Sequence, residues 1–288
     1  GIHLIMPPVM NEEALLLTAR SDGRVFFLIP WYGLTLLGTT DTDFKSDVEH
    51  TAVDESDIEY LLSAVNEYLK SPWTRSDVIS SFAGVRVFKQ STLADVADPP
   101  SAVSRDWELK SAPNGVHYAI GGKITSSRPD AARIVDTVCE KIGISSPCAT
   151  QDRLFPWAPQ EDFPIWFSRM LNRGLQLGID AESAQWLLRR HGTHTLDLFS
   201  SIETDADLAE RIIPSLPFIY ADLMYCAAAE MVIHLDDLLR RRLPILILTK
   251  LTSAQLLAIA ERVARTLQWE DTRLHQEIER CRQQWIPA

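Results

Sequence analysis

The sequence predicts an α+β fold, with an antiparallel sheet in the first half of the chain and an all-helical second half. Three observations support this prediction. Short apolar runs separated by turn residues fill the first half of the chain. A strand, a Gly121-Gly122-Lys123 turn and a helix follow them. Helical periodicity then continues to the end of the chain. We therefore expect two domains, residues 1–150 and residues 151–288.

The first apolar runs are typical of a meander of strands. The second and third runs are joined by Ser21-Asp22-Gly23-Arg24, which is a hairpin signal, and Trp31-Tyr32-Gly33 makes the next turn. Short connections of this kind favour antiparallel pairing. The predicted elements are strands at 1–7, 14–19, 25–30 and 34–39, a helix at about 54–69 and a strand within 77–87.

The Gly121-Gly122-Lys123 turn is the most informative stretch of the chain. It follows an apolar run, residues 115–120, that predicts a short buried strand, and it precedes a helical pattern that Ser127 and Asp130 would cap. Glycines let a backbone approach a ligand closely, and both a helix N-terminus and Lys123 favour negative charge. Two interpretations remain open: an anion or cofactor site, or a turn whose glycines only permit tight packing.

Composition limits the classes of function. The formal net charge of −11 argues against a nucleic-acid-binding protein, which needs clustered Lys and Arg. No apolar run reaches the roughly 20 residues of a membrane-spanning helix. The four cysteines are scattered without CxxC spacing, which is typical of reduced thiols in a cytosolic protein.

The second half of the chain predicts helices throughout. The longest is expected near residues 218–242, and Thr252 with Gln255 has the spacing of a capping box for the next helix. His191 and His194 have HxxH spacing, but no cysteine or carboxylate in the sequence completes a convincing ligand set, so no metal site is expected.

Arg86 and Arg105 are candidate anion ligands. Each lies at the edge of an apolar segment, and both precede the Gly121-Gly122-Lys123 turn. A guanidinium group binds phosphate or carboxylate in a bidentate manner. The alternative for each arginine is an ordinary surface position or a salt bridge.

These segments, in this order, resemble consecutive motifs of FAD-dependent glycerol-3-phosphate dehydrogenases of the aerobic type. The resemblance covers essentially the whole chain, and an ordered series of matches is more specific than any one of them. The matching motifs are residues 27–42, 81–86, 104–106, 121–125 and 237–242.

The resemblance implies a glutathione-reductase-like flavoprotein fold. In this fold an antiparallel substrate-domain sheet accompanies the returning strand-GGK-helix of an FAD domain, and an all-α C-terminal domain follows. The chain departs from the family at Ser127, where a tyrosine is usual, and at Val87, where a proline is usual. Its twelve glycines contain no GxGxxG fingerprint, so we expect the C-terminal portion of the enzyme without its N-terminal dinucleotide-binding segment.

The resemblance also implies roles for particular residues. His3 in the Gly-x-His strand motif is the candidate general base, and the alternative is a strand histidine that only makes a structural hydrogen bond. Arg86 and Arg105 would bind the substrate phosphate or polarise the substrate oxygens. Lys123 would stabilise negative charge on substrate or flavin. The flavin contacts are expected from Gly121, Gly122, Lys123, Ile124 and Thr125.

The expected reaction is the oxidation of sn-glycerol 3-phosphate to dihydroxyacetone phosphate, with FAD as cofactor and a quinone as electron acceptor. The related oxidases use oxygen instead, and the sequence does not distinguish the two. Further expectations are a cytoplasmic location, peripheral association with the inner face of the cell membrane, and a homodimer. The alternative from another class is a truncated fragment or a non-catalytic helical interaction module.

Overall fold

A computed structural model describes residues 1–10, 12–45, 47–48, 51–86 and 107–285. The strands are β1 (Ile2–Met6), β2 (Leu15–Thr18), β3 (Val25–Trp31), β4 (Leu34–Gly38), β5 (Ser80–Ala83), β6 (Glu108–Ser111) and β7 (His117–Ile120). The α-helices are α1 (Glu55–Asn66), α2 (Ser127–Lys141), α3 (Phe163–Gln176), α4 (Ala181–His191), α5 (Thr195–Thr204), α6 (Tyr220–Ala229), α7 (Ile245–Leu248), α8 (Ser253–Leu267) and α9 (Asp271–Trp285).

The first five strands form one sheet in the order β2-β3-β4-β1-β5. The pairs β2–β3, β3–β4 and β4–β1 are all antiparallel. The predicted meander is therefore confirmed for β2, β3 and β4, but β1 pairs with β4 and not with β2, so it is wrong for the first strand. The hairpin between β2 and β3 turns at Gly23, whose φ of 75° lies in the left-handed region that glycine adopts readily. β1 therefore lies in the interior of the sheet, between β4 and β5.

A separate two-stranded ribbon, β6–β7, precedes α2. The prediction of a buried strand here is wrong, because no residue of β7 is buried and Tyr118 is 45% exposed. The helix that follows has an apolar stripe, yet none of its residues is buried either. The stripe includes Val135 and Val138. A ribbon of only two strands has no third strand, and its faces stay exposed unless another element packs on them.

Among the described residues, the helices from α3 onward contribute to two apolar cores. The larger core is built mainly from α6, α8 and the segment between them, and the smaller one from α3, α4 and α5. Tyr32, from the turn between β3 and β4, belongs to the larger core, with Trp31 and Leu34 packed against it. This turn of the sheet and the helices thus share one apolar core.

The long helix predicted near residues 218–242 is wrong. α6 ends at Ala229, and Met231 follows with a φ of 52°, a left-handed conformation that a right-handed helix cannot contain. A short π-helical segment, Asp237–Arg242, comes next. The side chain of Asp237 accepts hydrogen bonds from the backbone N–H groups of Ile233 and His234, which stabilises this new start. The predicted capping box of Thr252 and Gln255 is confirmed.

Contacts divide the chain into two compact units. Unit 1 comprises residues 1–2, 40–52 and 83–155, and unit 2 comprises residues 3–39, 53–82 and 156–288. Most of the five-stranded sheet is thus grouped with the helices, and the ribbon is grouped with α2. The domain boundary at residue 150 stays a prediction.

Candidate active site

The Gly121-Gly122-Lys123 turn joins β7 to the helical segment that begins at Ile124. Gly121 has a φ of 73° and Gly122 a φ of 98°, so both positions require glycine. A side chain at Gly122 would also lie 3.1 Å from the Trp107 ring. The turn is therefore shaped by its glycines, and Lys123, Ile124 and Thr125 are all exposed beside it.

The start of α2 differs from its predicted cap. The helix begins at Ser127, so Ser126 stands at the cap position, and no side chain caps the backbone. Ser126 Oγ instead donates to Asp130 Oδ2 at 2.7 Å and lies 3.0 Å from the carbonyl oxygen of Lys123. The pairing of Ser127 with Asp130 is thus wrong by one residue. The N–H of Ser127 already donates to the carbonyl oxygen of Ile124, and Pro129 has no N–H, so the uncapped start is that of the short helical turn Ile124–Ser126, where Lys123 makes no side-chain cap.

The two predicted arginines have different outcomes. Arg86 is exposed in unit 1, three residues after the end of β5. Arg105 lies outside the described residues. Their assignment to the substrate phosphate therefore stays a prediction.

His3 lies on β1, in the interior of the five-stranded sheet. Its ring stacks on Phe82, with centroids 5.1 Å apart and planes inclined by 12°. Burial lowers the pKa of His3 from its ordinary value of 6.5, so the imidazole is neutral at pH 7. A neutral imidazole can accept a proton, as a general base must.

A buried polar cluster in unit 2 was not foreseen in full. Asp222 on α6 is fully buried, and its carboxylate accepts hydrogen bonds from Arg190 and, at 2.6 Å, from His191. The Arg190 guanidinium also lies over the rings of Phe218 and Tyr32, at 4.7 and 5.9 Å from their centroids. The available signal in the sequence was Asp222 itself, a single carboxylate within the otherwise apolar residues 218–229.

The same cluster contains a candidate set of metal ligands. Within the described part of the chain, ligand atoms of His191, Asp222 and Cys226 lie within 4.8 Å of one another. The Asp222 carboxylate is already neutralised by Arg190, and burial raises the pKa of the Cys226 thiol well above its usual range. A nearby guanidinium repels a cation, and a protonated thiol is a poor ligand. We interpret the cluster as a buried ion-pair network, and His194 takes no part in it, lying instead 3.8 Å from Asp197.

Two family models match the chain. Residues 1–128 match the model described as FAD dependent oxidoreductase, and residues 159–274 match the model described as the C-terminal domain of alpha-glycerophosphate oxidase. Of the helices in the described ranges, none is both long and apolar enough to cross a membrane.

Three curated relatives that match this chain are all named glycerol-3-phosphate dehydrogenases. A glycerol-3-phosphate dehydrogenase from Synechocystis is 30% identical over 258 residues, which is 86% of this chain and 45% of the relative. Glycerol-3-phosphate dehydrogenase 2 from Mycobacterium bovis is 29% identical over 85% of this chain and 41% of its own length. The mitochondrial glycerol-3-phosphate dehydrogenase of Mesocricetus auratus is 29% identical over 97% of this chain and 38% of its own length. The chain thus spans less than half the length of these relatives.

A solved structure extends the similarity to the fold. The crystal structure of the glycerol-3-phosphate dehydrogenase from Bacillus halodurans complexed with FAD matches with a TM-score of 0.78 and 25% identity. The match covers 99% of this chain and 55% of that one. Two family models, the shared name of the curated relatives and a fold that matches over nearly the whole chain agree with the motifs at residues 27–42 and 121–125. The chain therefore belongs to the family of FAD-dependent glycerol-3-phosphate dehydrogenases.

Proposed function

We propose that the protein oxidises sn-glycerol 3-phosphate to dihydroxyacetone phosphate with FAD as cofactor and passes the electrons to a quinone. The observation that carries this proposal is the Gly121-Gly122-Lys123 turn. Two positive-φ glycines, an exposed lysine and the uncapped start of the helical turn Ile124–Ser126 meet there, within the range that matches the FAD dependent oxidoreductase model.

The residues of the turn fit one half of FAD. The exposed backbone of the turn, the charge of Lys123 and the uncapped start of the helical turn Ile124–Ser126 form an electropositive surface suited to the electron-rich ring of a flavin. Ile124 is 88% exposed and offers an apolar contact beside it. The pyrophosphate half of FAD needs a glycine-rich turn of the GxGxxG type, and this sequence contains none. The chain would therefore hold the ring portion, and a further segment of the protein would hold the adenosine portion.

The chemistry requires three tasks from the protein. When bound, FAD supplies the acceptor for the hydride that leaves C2 of the alcohol. His3 accepts the proton of the C2 hydroxyl group at a ring nitrogen, while the C–O bond becomes C=O. Lys123 and the backbone N–H groups at Ile124 and Thr125 stabilise the negative charge that develops on the substrate or flavin.

The phosphate dianion requires separate ligands. Arg86 and Arg105 are the two guanidinium groups that we assign to it. Paired guanidinium groups bind a phosphate in a defined orientation, which places C2 for the hydride transfer.

The acceptor and the location of the enzyme are part of the proposal. A quinone resides in a membrane, so we propose that the protein works in the cytoplasm as a peripheral protein at the inner face of the cell membrane, as a homodimer. Oxygen is the alternative acceptor, and the match of residues 159–274 to a domain of alpha-glycerophosphate oxidase favours that alternative.

The experiment measures flavin reduction in the full-length protein that contains this chain. Glycerol 3-phosphate added without oxygen should bleach the flavin absorbance, and re-oxidation by a soluble quinone or by oxygen distinguishes the two acceptors. Lys123→Met should slow the reduction at least about tenfold, since a charge-assisted hydrogen bond contributes about 1.5–3 kcal/mol.

Lys141→Met is the matched control. Lys141 is exposed in the last turn of α2, the helix that follows Lys123, so its loss should leave the reduction rate unchanged. A flavin that glycerol 3-phosphate does not reduce would refute the proposed reaction. Equal rates for the two lysine variants would refute the role of Lys123.

A further inference from the structure

The His3 imidazole is held by packing, with no polar partner within the described part of the chain. The other described histidines each have one. His191 bonds to Asp222, His117 to Ser111, His234 to Glu277 and His275 to a backbone carbonyl, while His194 lies near Asp197. Among the described residues, another kind of contact must therefore fix the orientation of the His3 ring.

One such contact is made with a glycine on the neighbouring strand, which has no side chain to displace the ring. His3 on β1 lies opposite Gly38 on β4, and Gly38 in turn lies opposite Phe27 on β3. The next position of β4 along the strand is Leu37, which is fully buried. Gly38 therefore stands, without a side chain, between His3 and Phe27 on the two neighbouring strands.

The His3 imidazole fills the space that a side chain at position 38 would need. A Cβ built on Gly38 would lie 2.8 Å from Cγ and 2.9 Å from Nε2 of His3, and nearer still to Cδ2. Contacts below 3.0 Å are essentially never made by a real Cβ atom. Gly38 is not among the glycines with positive φ, so space for the ring is what this position provides.

The second contact comes from the strand on the other side of β1. Phe82 belongs to β5, and its ring is nearly parallel to the imidazole, with centroids 5.1 Å apart. Parallel aromatic rings at this separation attract each other in an offset stack. The imidazole is thus held from both neighbouring strands, by the backbone of Gly38 and by the ring of Phe82.

We propose that Gly38 and Phe82 are positioning residues, which hold the His3 imidazole in one orientation from which it accepts the substrate proton. This inference rests on the proposed function of His3 as the base. A proton acceptor must lie within hydrogen-bond reach of the hydroxyl group and point towards it. A misplacement of about 1 Å is enough to cost a large part of the rate. Gly38→Ala removes the space, and Phe82→Leu removes the stack while keeping an apolar side chain.

The control is Gly84→Ala. Gly84 also has a φ outside the left-handed region, and a Cβ on it would meet no atom within 4 Å. Both glycine variants therefore add one methyl group, and only the methyl group at position 38 meets the imidazole.

The test uses the full-length flavoprotein and two measurements. NMR of the histidine ring protons, with the His3 signal assigned by His3→Asn, reports the shielding by Phe82. Gly38→Ala and Phe82→Leu should both move the His3 signals, and Gly84→Ala should not. Steady-state kinetics with glycerol 3-phosphate should show a fall in kcat of at least about tenfold for Gly38→Ala, with KM changed less than about twofold.

The outcomes separate the inference from the function on which it rests. Unmoved His3 signals in Gly38→Ala and Phe82→Leu refute the packing argument, whatever His3 does in catalysis. Moved signals with unchanged kcat refute the positioning role. An unchanged kcat in His3→Asn refutes the assignment of His3 as the base, and the positioning role fails with it. If Gly38→Ala does not fold, Phe82→Leu carries the same test, with a smaller fall in kcat expected.

Discussion

Replacement of Asp222 by alanine should destabilise the helical part of the protein strongly. The Asp222 side chain is fully buried and accepts hydrogen bonds from Arg190 and His191. Within the described part of the chain, Nε and Nη1 of Arg190 have no hydrogen-bond partner, so Asp222 is the main compensation for its buried charge. Asp222→Ala leaves that guanidinium group without its carboxylate partner, beside the rings of Phe218 and Tyr32.

The expected loss is about 3–5 kcal/mol in the free energy of unfolding, the range measured when one partner of a buried ion pair is removed. This is a large part of the roughly 5–15 kcal/mol that stabilises a typical domain. Urea unfolding followed by circular dichroism measures it. The double variant Asp222→Leu with Arg190→Met removes both charges and should recover most of the loss, because a buried pair contributes little net stability over apolar residues.

Asp197→Ala is the matched control. Asp197 also lies near a histidine, His194, but its side chain is 71% exposed and the closest atoms are 3.8 Å apart. Its removal should leave the unfolding curve within experimental error, since exposed ion pairs contribute little. A loss below about 1 kcal/mol for Asp222→Ala would contradict our account of the cluster.

The same pair predicts a pH dependence. Burial alone would raise the pKa of Asp222, but the charge of Arg190 and the hydrogen bond from His191 outweigh burial and hold the pKa below the ordinary value of 3.8. A carboxylate whose pKa is lower in the folded state stabilises the fold above the pKa of the unfolded chain. That contribution is lost as the pH falls through the folded value. The difference in stability between wild type and Asp222→Ala should therefore be constant near neutral pH and shrink in acid, below about pH 4.

Three further predictions concern the organisation and the ligands of the protein. Limited proteolysis should cut between residues 145 and 160 and leave a helical fragment, and a strand-rich circular dichroism spectrum of that fragment would contradict the predicted boundary. The 288-residue chain alone should be colourless after purification, because it lacks a glycine-rich turn for the pyrophosphate; a stoichiometric flavin absorbance band would show that this turn is dispensable. In the full-length protein, Arg105→Lys keeps the charge but loses the bidentate geometry, so kcat/KM for glycerol 3-phosphate should fall at least about tenfold, mainly through KM. Glycerol, which lacks the phosphate, should be an equally poor substrate for wild type and variant, and an unchanged kcat/KM for glycerol 3-phosphate would move the phosphate assignment to Arg86.

Local features of the fold follow from the sequence because neighbouring residues decide them. The turn at Gly23, the strand-to-helix turn at Gly121 and Gly122, and the capping box of Thr252 are each set within a few residues. The resemblance to glycerol-3-phosphate dehydrogenases is also read from such local motifs. The order of these motifs along the chain is visible without a structure, and the comparisons confirm the family that they indicate.

Only the tertiary structure decides what lies across from each of these elements. The end of α6 at Ala229 departs from its apolar periodicity, and the exposed stripe of α2 is indistinguishable in sequence from a buried one. Asp222 bonds to side chains that lie 31 and 32 positions away along the chain. His3 on β1 contacts Gly38 on the adjacent strand β4, 35 residues later in the sequence. Periodicity specifies which face of an element is apolar, but strand register and helix packing determine which residue that face meets. The sequence alone thus identified His3 as a candidate base, and the sheet supplied the space and the stacked ring that orient it.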